Sequence, residues 1–175
     1  MMKKEIIKQP EMILVGISVQ TRFQNEINPA HAKITPTVQR YFTEQLFNKI
    51  PNRVKPGTTY CIYTGYDDSA IKAKDNSYMG AYTYFVGEHV SSISDAIDLP
   101  NDLTILTIPA QTYAKFTTEP GAMPFVVIQA WQRIWTMKQA DLGGVRRFHA
   151  DFEVYDERAM NPKAATLDIY VGIKD

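Results

Sequence analysis

Glu153 lies in the alternating run Asp151-Phe152-Glu153-Val154-Tyr155. Successive side chains of a β-strand point to opposite faces, so Glu153 and Tyr155 share one face while Phe152 and Val154 share the other. A carboxylate beside aromatic rings can hold an apolar cation. The acid supplies the counter-charge, and each ring face adds about 0.5–2 kcal/mol of cation–π attraction. The same carboxylate, its pKa lifted by burial, can instead act as a general base.

Other chemistries fit poorly. His149, Asp151 and Glu153 fall on one strand face, but positions on that face repeat only every ~6.5–7 Å along a strand. Zinc ligands must lie about 2 Å from a common centre, and His31 and His89 are in unrelated segments. No Gly-rich phosphate loop, Ser-His-Asp signature or paired-Cys motif occurs, so neither a metal nor a cofactor is expected. Cys61 is the sole cysteine and sits in an apolar strand-like run, which reads as a buried core thiol. Arg146-Arg147 follow a helix stop and read as a solvated cap.

Lys+Arg and Asp+Glu are equal at 19 each. The basic excess that phosphate binding needs is therefore missing, and direct nucleic-acid binding is not expected. Hydrophobic residues at 45% and charged residues at 22% match a globular protein with enough apolar material for a core. No apolar stretch approaches the roughly 18 residues of a membrane span. No apolar region follows Lys3-Lys4 to make a secretory signal, so a cytoplasmic location is expected.

These residues need elements to position them. Met12–Thr21 reads as a strand. Thr35-Pro36 reads as the start of a helix that runs to about Lys49, with Val38, Tyr41, Phe42 and Leu46 on one stripe. Thr58–Tyr66 and Tyr78–Val90 are two more strands, the latter with Gly80 and Gly87 as bulge or edge points. Polar connections are expected at Asp67–Ser77 and Ser91–Asp102. The order then repeats. Leu103–Thr117 is a strand bent at Pro109. A helix runs from Pro124 to about Ala140 and is stopped by Leu142-Gly143-Gly144. Phe148–Asp156 and Ala165–Ile173 are the last strands.

The chain thus reads as strand, helix, strand, strand, twice. Val19-Gln20-Thr21 matches Ala110-Gln111-Thr112. Tyr60-Cys61-Ile62-Tyr63 matches Phe152-Glu153-Val154-Tyr155. Thr83–Gly87 matches Asp168–Gly172. The matches keep the same order at similar offsets. The expectation is one α+β domain over residues 1–175, with pseudo-repeats at about 8–92 and 101–175. Its two helices would pack with an antiparallel sheet around a central cleft.

The Phe-Glu-x-Tyr strand, placed shortly after a Trp-bearing helix that ends in Gly, resembles the GyrI-like effector-binding domain. That domain is also the ligand-sensing half of AraC-type and multidrug-sensing MerR-type bacterial regulators, and the resemblance covers nearly the whole chain. It implies a cleft for bulky aromatic, often cationic molecules, with the family's glutamate at Glu153 and its helix tryptophan at Trp131. It also implies two alternatives, since some relatives hydrolyse cyclopropane-type toxins and one inhibits DNA gyrase. No helix-turn-helix segment accompanies the domain, so a stand-alone sensor, sequestration or protection protein is expected, with room for a protein partner. By the repeat, Cys61 corresponds to Glu153 and Tyr63 to Tyr155, which turns Tyr63 toward the cleft. Trp131 and Trp135 share a helix face. Tyr41, Tyr170 and Phe85 are further candidates for the cleft wall.

Overall fold

Runs of β-branched and aromatic residues form eight strands: β1 (Lys3–Gln9), β2 (Met12–Arg22), β3 (Thr59–Thr64), β4 (Ala81–Val90), β5 (Thr104–Ile108), β6 (Gln111–Thr117), β7 (Ala150–Tyr155) and β8 (Asp168–Ile173). The helices are α1 (Phe23–Glu26), α2 (Ile34–Thr43), α3 (Phe125–Thr136) and α4 (Gln139–Leu142). The structure, a computed structural model, describes residues 2–67, 78–94, 97–100 and 102–175. The connection expected at Asp67–Ser77 lies almost wholly outside the described residues, and that at Ser91–Asp102 partly so. No helix among the described residues is long and apolar enough to cross a membrane.

The strands form one antiparallel sheet in the order β1-β6-β8-β7-β3-β4-β2-β5. Its central pair is β3 and β7, in which Cys61 lies directly opposite Glu153. Outward from that pair, β3 is followed by β4 and β2, and β7 by β8 and β6. Helices cover one face. Tyr41, Leu46, Cys61 and Val86 pack together on one side of it, and Ala130, Ile134, Phe116 and Ile169 on the other. The opposite face buries Leu14, Ile62, Phe85, Tyr113 and Phe152. Each large apolar side chain so buried contributes about 1.5–3 kcal/mol.

That second core forms because the sheet curls. Only Pro10-Glu11 joins β1 to β2, and only Pro109-Ala110 joins β5 to β6. A link of two residues spans about 11 Å at most, so the two outer ends of the sheet must approach each other and close over the apolar face. The expected strand Leu103–Thr117 is accordingly two strands. Pro109 ends β5 at one edge, and the chain re-enters as β6 between β1 and β8. β1 went unread in the sequence because its Lys-rich run alternates weakly.

The helices are shorter than their periodicity suggests. α2 stops at Thr43, Gln45 takes a left-handed conformation (φ 50°), and a short 3-10 turn carries Leu46–Lys49. Thr35 is not its cap. Its first amides, on Lys33 and Ile34, donate instead to the Glu26 carboxylate at 3.0 and 3.2 Å. α3 stops at Thr136, and α4 follows separately before Gly143 terminates it at φ 95°.

Gly87 is not a bulge. It pairs in register with Gly16 on one side and Tyr60 on the other. A Cβ on Gly87 would sit 2.2 Å from the Val15 carbonyl oxygen, and one on Gly16 would sit 2.1 Å from that of Val86. The two backbones approach so closely at this pair that neither position has room for a side chain. Gly87→Ala should therefore cost about 3 kcal/mol, read as a lower urea midpoint. An unchanged midpoint would show that the two strands part to admit the methyl group.

Candidate functional site

Strand alternation on β7 sends Phe152 into the curled face and Glu153 beneath α3. Glu153 is only 3% exposed. Its Oε1 accepts from the Trp131 indole Nε1 at 2.6 Å and the Tyr63 hydroxyl at 2.9 Å, and its Oε2 accepts from the Tyr155 hydroxyl at 2.6 Å. Burial pushes the carboxyl above its ordinary value, while the bonds from Tyr155, Trp131 and Tyr63 pull it back only partly. Burial and the neighbouring Glu153 charge raise the Tyr63 and Tyr155 hydroxyls well above theirs, so both remain proton donors at neutral pH.

Over this carboxylate opens a cavity of about 480 Å³, with α3 on one side and α1 with the start of α2 on the other. Its wall is aromatic. The Tyr63 ring meets Trp131 at 5.5 Å, Tyr84 at 5.4 Å and Tyr82 at 5.8 Å between centroids. Trp135 stacks beyond Trp131 at 6.4 Å, and Phe23 of α1 meets it edge-on at 6.0 Å. This combination of apolar rings and a few convergent polar groups is typical of small-molecule sites. Another hollow, about 500 Å³ near Met2 and the start of α3, has Glu119 and Arg133 on its wall but no buried carboxylate.

Glu153, Tyr155, Trp131 and Tyr63 thus come together. Tyr41 and Tyr170 do not join them. Tyr41 is fully buried in the core under α2, against Phe42 and Phe47. Tyr170 pairs with Phe152 across β7 and β8 and therefore lies on the opposite face, its ring stacked on Phe152 at 4.4 Å. Phe85 is in that same core.

Arg146 is also not the solvated residue its position suggests. It is 6% exposed and lines the cavity. Its Nη2 donates to Asp151 Oδ2 at 2.7 Å, and its guanidinium lies 4.5 Å from the Phe148 ring and 5.7 Å from Trp131. Asp151 also accepts from the Tyr66 hydroxyl at 2.6 Å and the Gly172 amide at 2.8 Å. Burial opposes the guanidinium charge, but Asp151 and Tyr66 outweigh it and raise the Arg146 pKa.

Several wall residues escaped the sequence reading. Tyr82 and Tyr84 alternate on β4, and Tyr84 pairs with Tyr63, so strand register carried a signal for both. Phe23, Glu26 and Tyr66 come from short or irregular segments and carried none. No group of three His, Cys, Asp or Glu suited to a metal occurs among the described residues.

The family model for integron-associated effector-binding proteins, Cass2, matches residues 5–173. YobU of Bacillus subtilis (strain 168), described provisionally as a transcriptional regulator, is 39% identical over 95 residues, 54% of this chain and 56% of YobU. The chain therefore spans little more than half the length of that curated relative. Three solved structures are similar. An integron cassette protein of Vibrio cholerae is 20% identical with a TM-score of 0.67, over 98% of this chain and 95% of its own. A protein of Staphylococcus aureus MU50, provisionally assigned to transcription regulation, is 17% identical with a TM-score of 0.70, over 99% of both chains. SAV2435, solved bound to tetraphenylphosphonium, is 15% identical with a TM-score of 0.71, over 99% of this chain and 94% of its own. At these identities the structural likeness establishes the α+β fold.

Proposed function

The chain belongs to the family of integron-associated effector-binding proteins, and from that premise we propose that it captures a lipophilic organic cation in the aromatic cavity, with Glu153 as the counter-charge. The observation that carries this reading is a 3%-exposed carboxylate at the base of a cavity walled by Tyr and Trp. A buried carboxylate without a cation is costly, and a bound cation offsets that cost. Rings that cannot solvate the cation as water does attract it through their π faces. The tetraphenylphosphonium held by SAV2435 is a cation of this kind. We read the chain as one domain of two matching halves in which only the second supplies the acid, and its cellular role as sensing, sequestration or protection.

Tetraphenylphosphonium tests the proposal. The chain has 2 tryptophans, and both Trp131 and Trp135 line the cavity, so all indole emission reports on this site. Saturable quenching at one ligand per chain is expected, with the ligand recovered unchanged by mass spectrometry. Triphenylphosphine oxide, uncharged and of similar bulk, should compete poorly. A cation favours the ionised carboxylate, and burial has raised Glu153 above the ordinary carboxyl range. Affinity should therefore fall as pH drops through that raised value and level off above it. Equal binding of the neutral compound, or a pH-independent affinity, would remove the proposal.

A further inference from the structure

Glu153 is not the only carboxylate on the cavity wall. Glu26, the last residue of α1, lines the same space from the side opposite α3. Its position is held firmly. Oε1 accepts from the Thr21 hydroxyl and the Lys33 amide, and Oε2 from the Ile34 amide. Those amides at the start of α2 hold the carboxylate in place but bring only about half an elementary charge between them. The Lys33 ammonium is directed to the Gln20 carbonyl.

The third charged residue lining the cavity, Arg146, is matched by Asp151 at 2.7 Å. An occupant therefore meets two negative poles and a neutralised pair. Tyr82 lines the same cavity as both carboxylates. Its ring is 5.8 Å from that of Tyr63, which bonds Glu153. Its hydroxyl is pushed up first by burial, then by the fields of both Glu26 and Glu153. An aromatic path of Tyr63 and Tyr82 thus runs from one carboxylate toward the other.

We propose that the preferred ligand is a dication, with one cationic centre at Glu153, a second at Glu26, and an apolar span laid along Tyr63 and Tyr82. This rests on the cation-capture reading and adds the ligand's second charge to it. A monocation leaves the Glu26 pole unmatched. A dication whose span fits gains a second charge pair within one binding event, so its advantage depends sharply on length.

The test compares alkane-bridged bis(triphenylphosphonium) dications of graded spacer length with alkyltriphenylphosphonium monocations of matched length, by calorimetry on the intact chain. One narrow range of spacers should bind about tenfold tighter than its monocation, beyond the roughly twofold statistical gain of carrying two heads. Glu26→Gln keeps an amide oxygen to accept from the start of α2. It should erase that gain, so that on this variant the best dication binds no more than about twofold tighter than its matched monocation. A thermal melt of the variant checks its fold, and if it fails to fold, the spacer series on the unaltered protein decides alone. Dications no better than twofold at every length would overturn the dication inference and leave capture at Glu153 standing. Failure of every phosphonium to bind would overturn both.

Discussion

Glu153→Gln should raise the thermal midpoint of the protein while weakening tetraphenylphosphonium about a hundredfold or more. The two effects have one cause. Glu153 holds its proton more tightly in the folded chain than in the unfolded one, because burial outweighs its three hydrogen bonds. A carboxyl of that kind favours folding most at acid pH. The benefit is lost as pH rises from the ordinary carboxyl range through the raised folded value, and above that range the acid is a net cost to folding. Glutamine has the same shape and no charge. Its oxygen can accept from Trp131 and Tyr63, and its amide can donate to the Tyr155 oxygen, so every present contact keeps a partner. The gain should be about 1 kcal/mol, or roughly 2–4 °C for a chain of this size. Calorimetry from acid to neutral pH checks the sign, since the variant's advantage should shrink as the pH falls. Without the charge, the cation must leave water for rings alone, which accounts for the affinity loss. A variant less stable at neutral pH, or one that binds the cation as tightly, would contradict the argument.

Strand alternation carried the reading of the sequence furthest. It puts Glu153, Tyr155 and, through the internal match, Tyr63 on one face. Side-chain direction in a strand is a local property, so a sequence can express it. Tyr41 and Tyr170 mark where that logic stops. Both faces of this sheet are apolar, one under helices and the other inside the curl. Period alone therefore cannot say which aromatic meets a cavity and which meets a core. Tyr170 is assigned by its pairing with Phe152, a register formed between distant segments. The split at Pro109 has the same origin, because proline announces a break but not the sheet edge to which the chain returns. Arg146 was misread for a third reason. A cation after a helix stop is normally solvated, and its burial depends on partners contributed by β7 and by Tyr66.

That buried pair leads to the other large expected effect. Asp151→Asn should destabilise the protein by about 3 kcal/mol, lowering the thermal midpoint by roughly 10 °C. Asparagine keeps the shape and can still accept from the Gly172 amide, as Asp151 does at 2.8 Å. What it removes is the charge opposite Arg146, whose side chain is only 4% exposed. A guanidinium that loses its 2.7 Å counter-charge where little water can reach it is the costly state, more so than having neither member of the pair. Arg146→Met in the same chain should therefore recover most of the loss, and the double variant should melt closer to the unaltered protein than Asp151→Asn does. The cavity should register the change as well. Arg146 lies 5.7 Å from the Trp131 ring, the ring that bonds Glu153. Freed from Asp151, its full charge would oppose a ligand cation at that face, so Asp151→Asn should weaken tetraphenylphosphonium and Arg146→Met should restore it. Such paired recovery of stability and affinity would be hard to produce by loosened packing, because methionine at Arg146 restores charge balance without restoring any hydrogen bond. A double variant no more stable than the single would mean that the hydrogen bonds, and not the charge, hold this corner of the cavity.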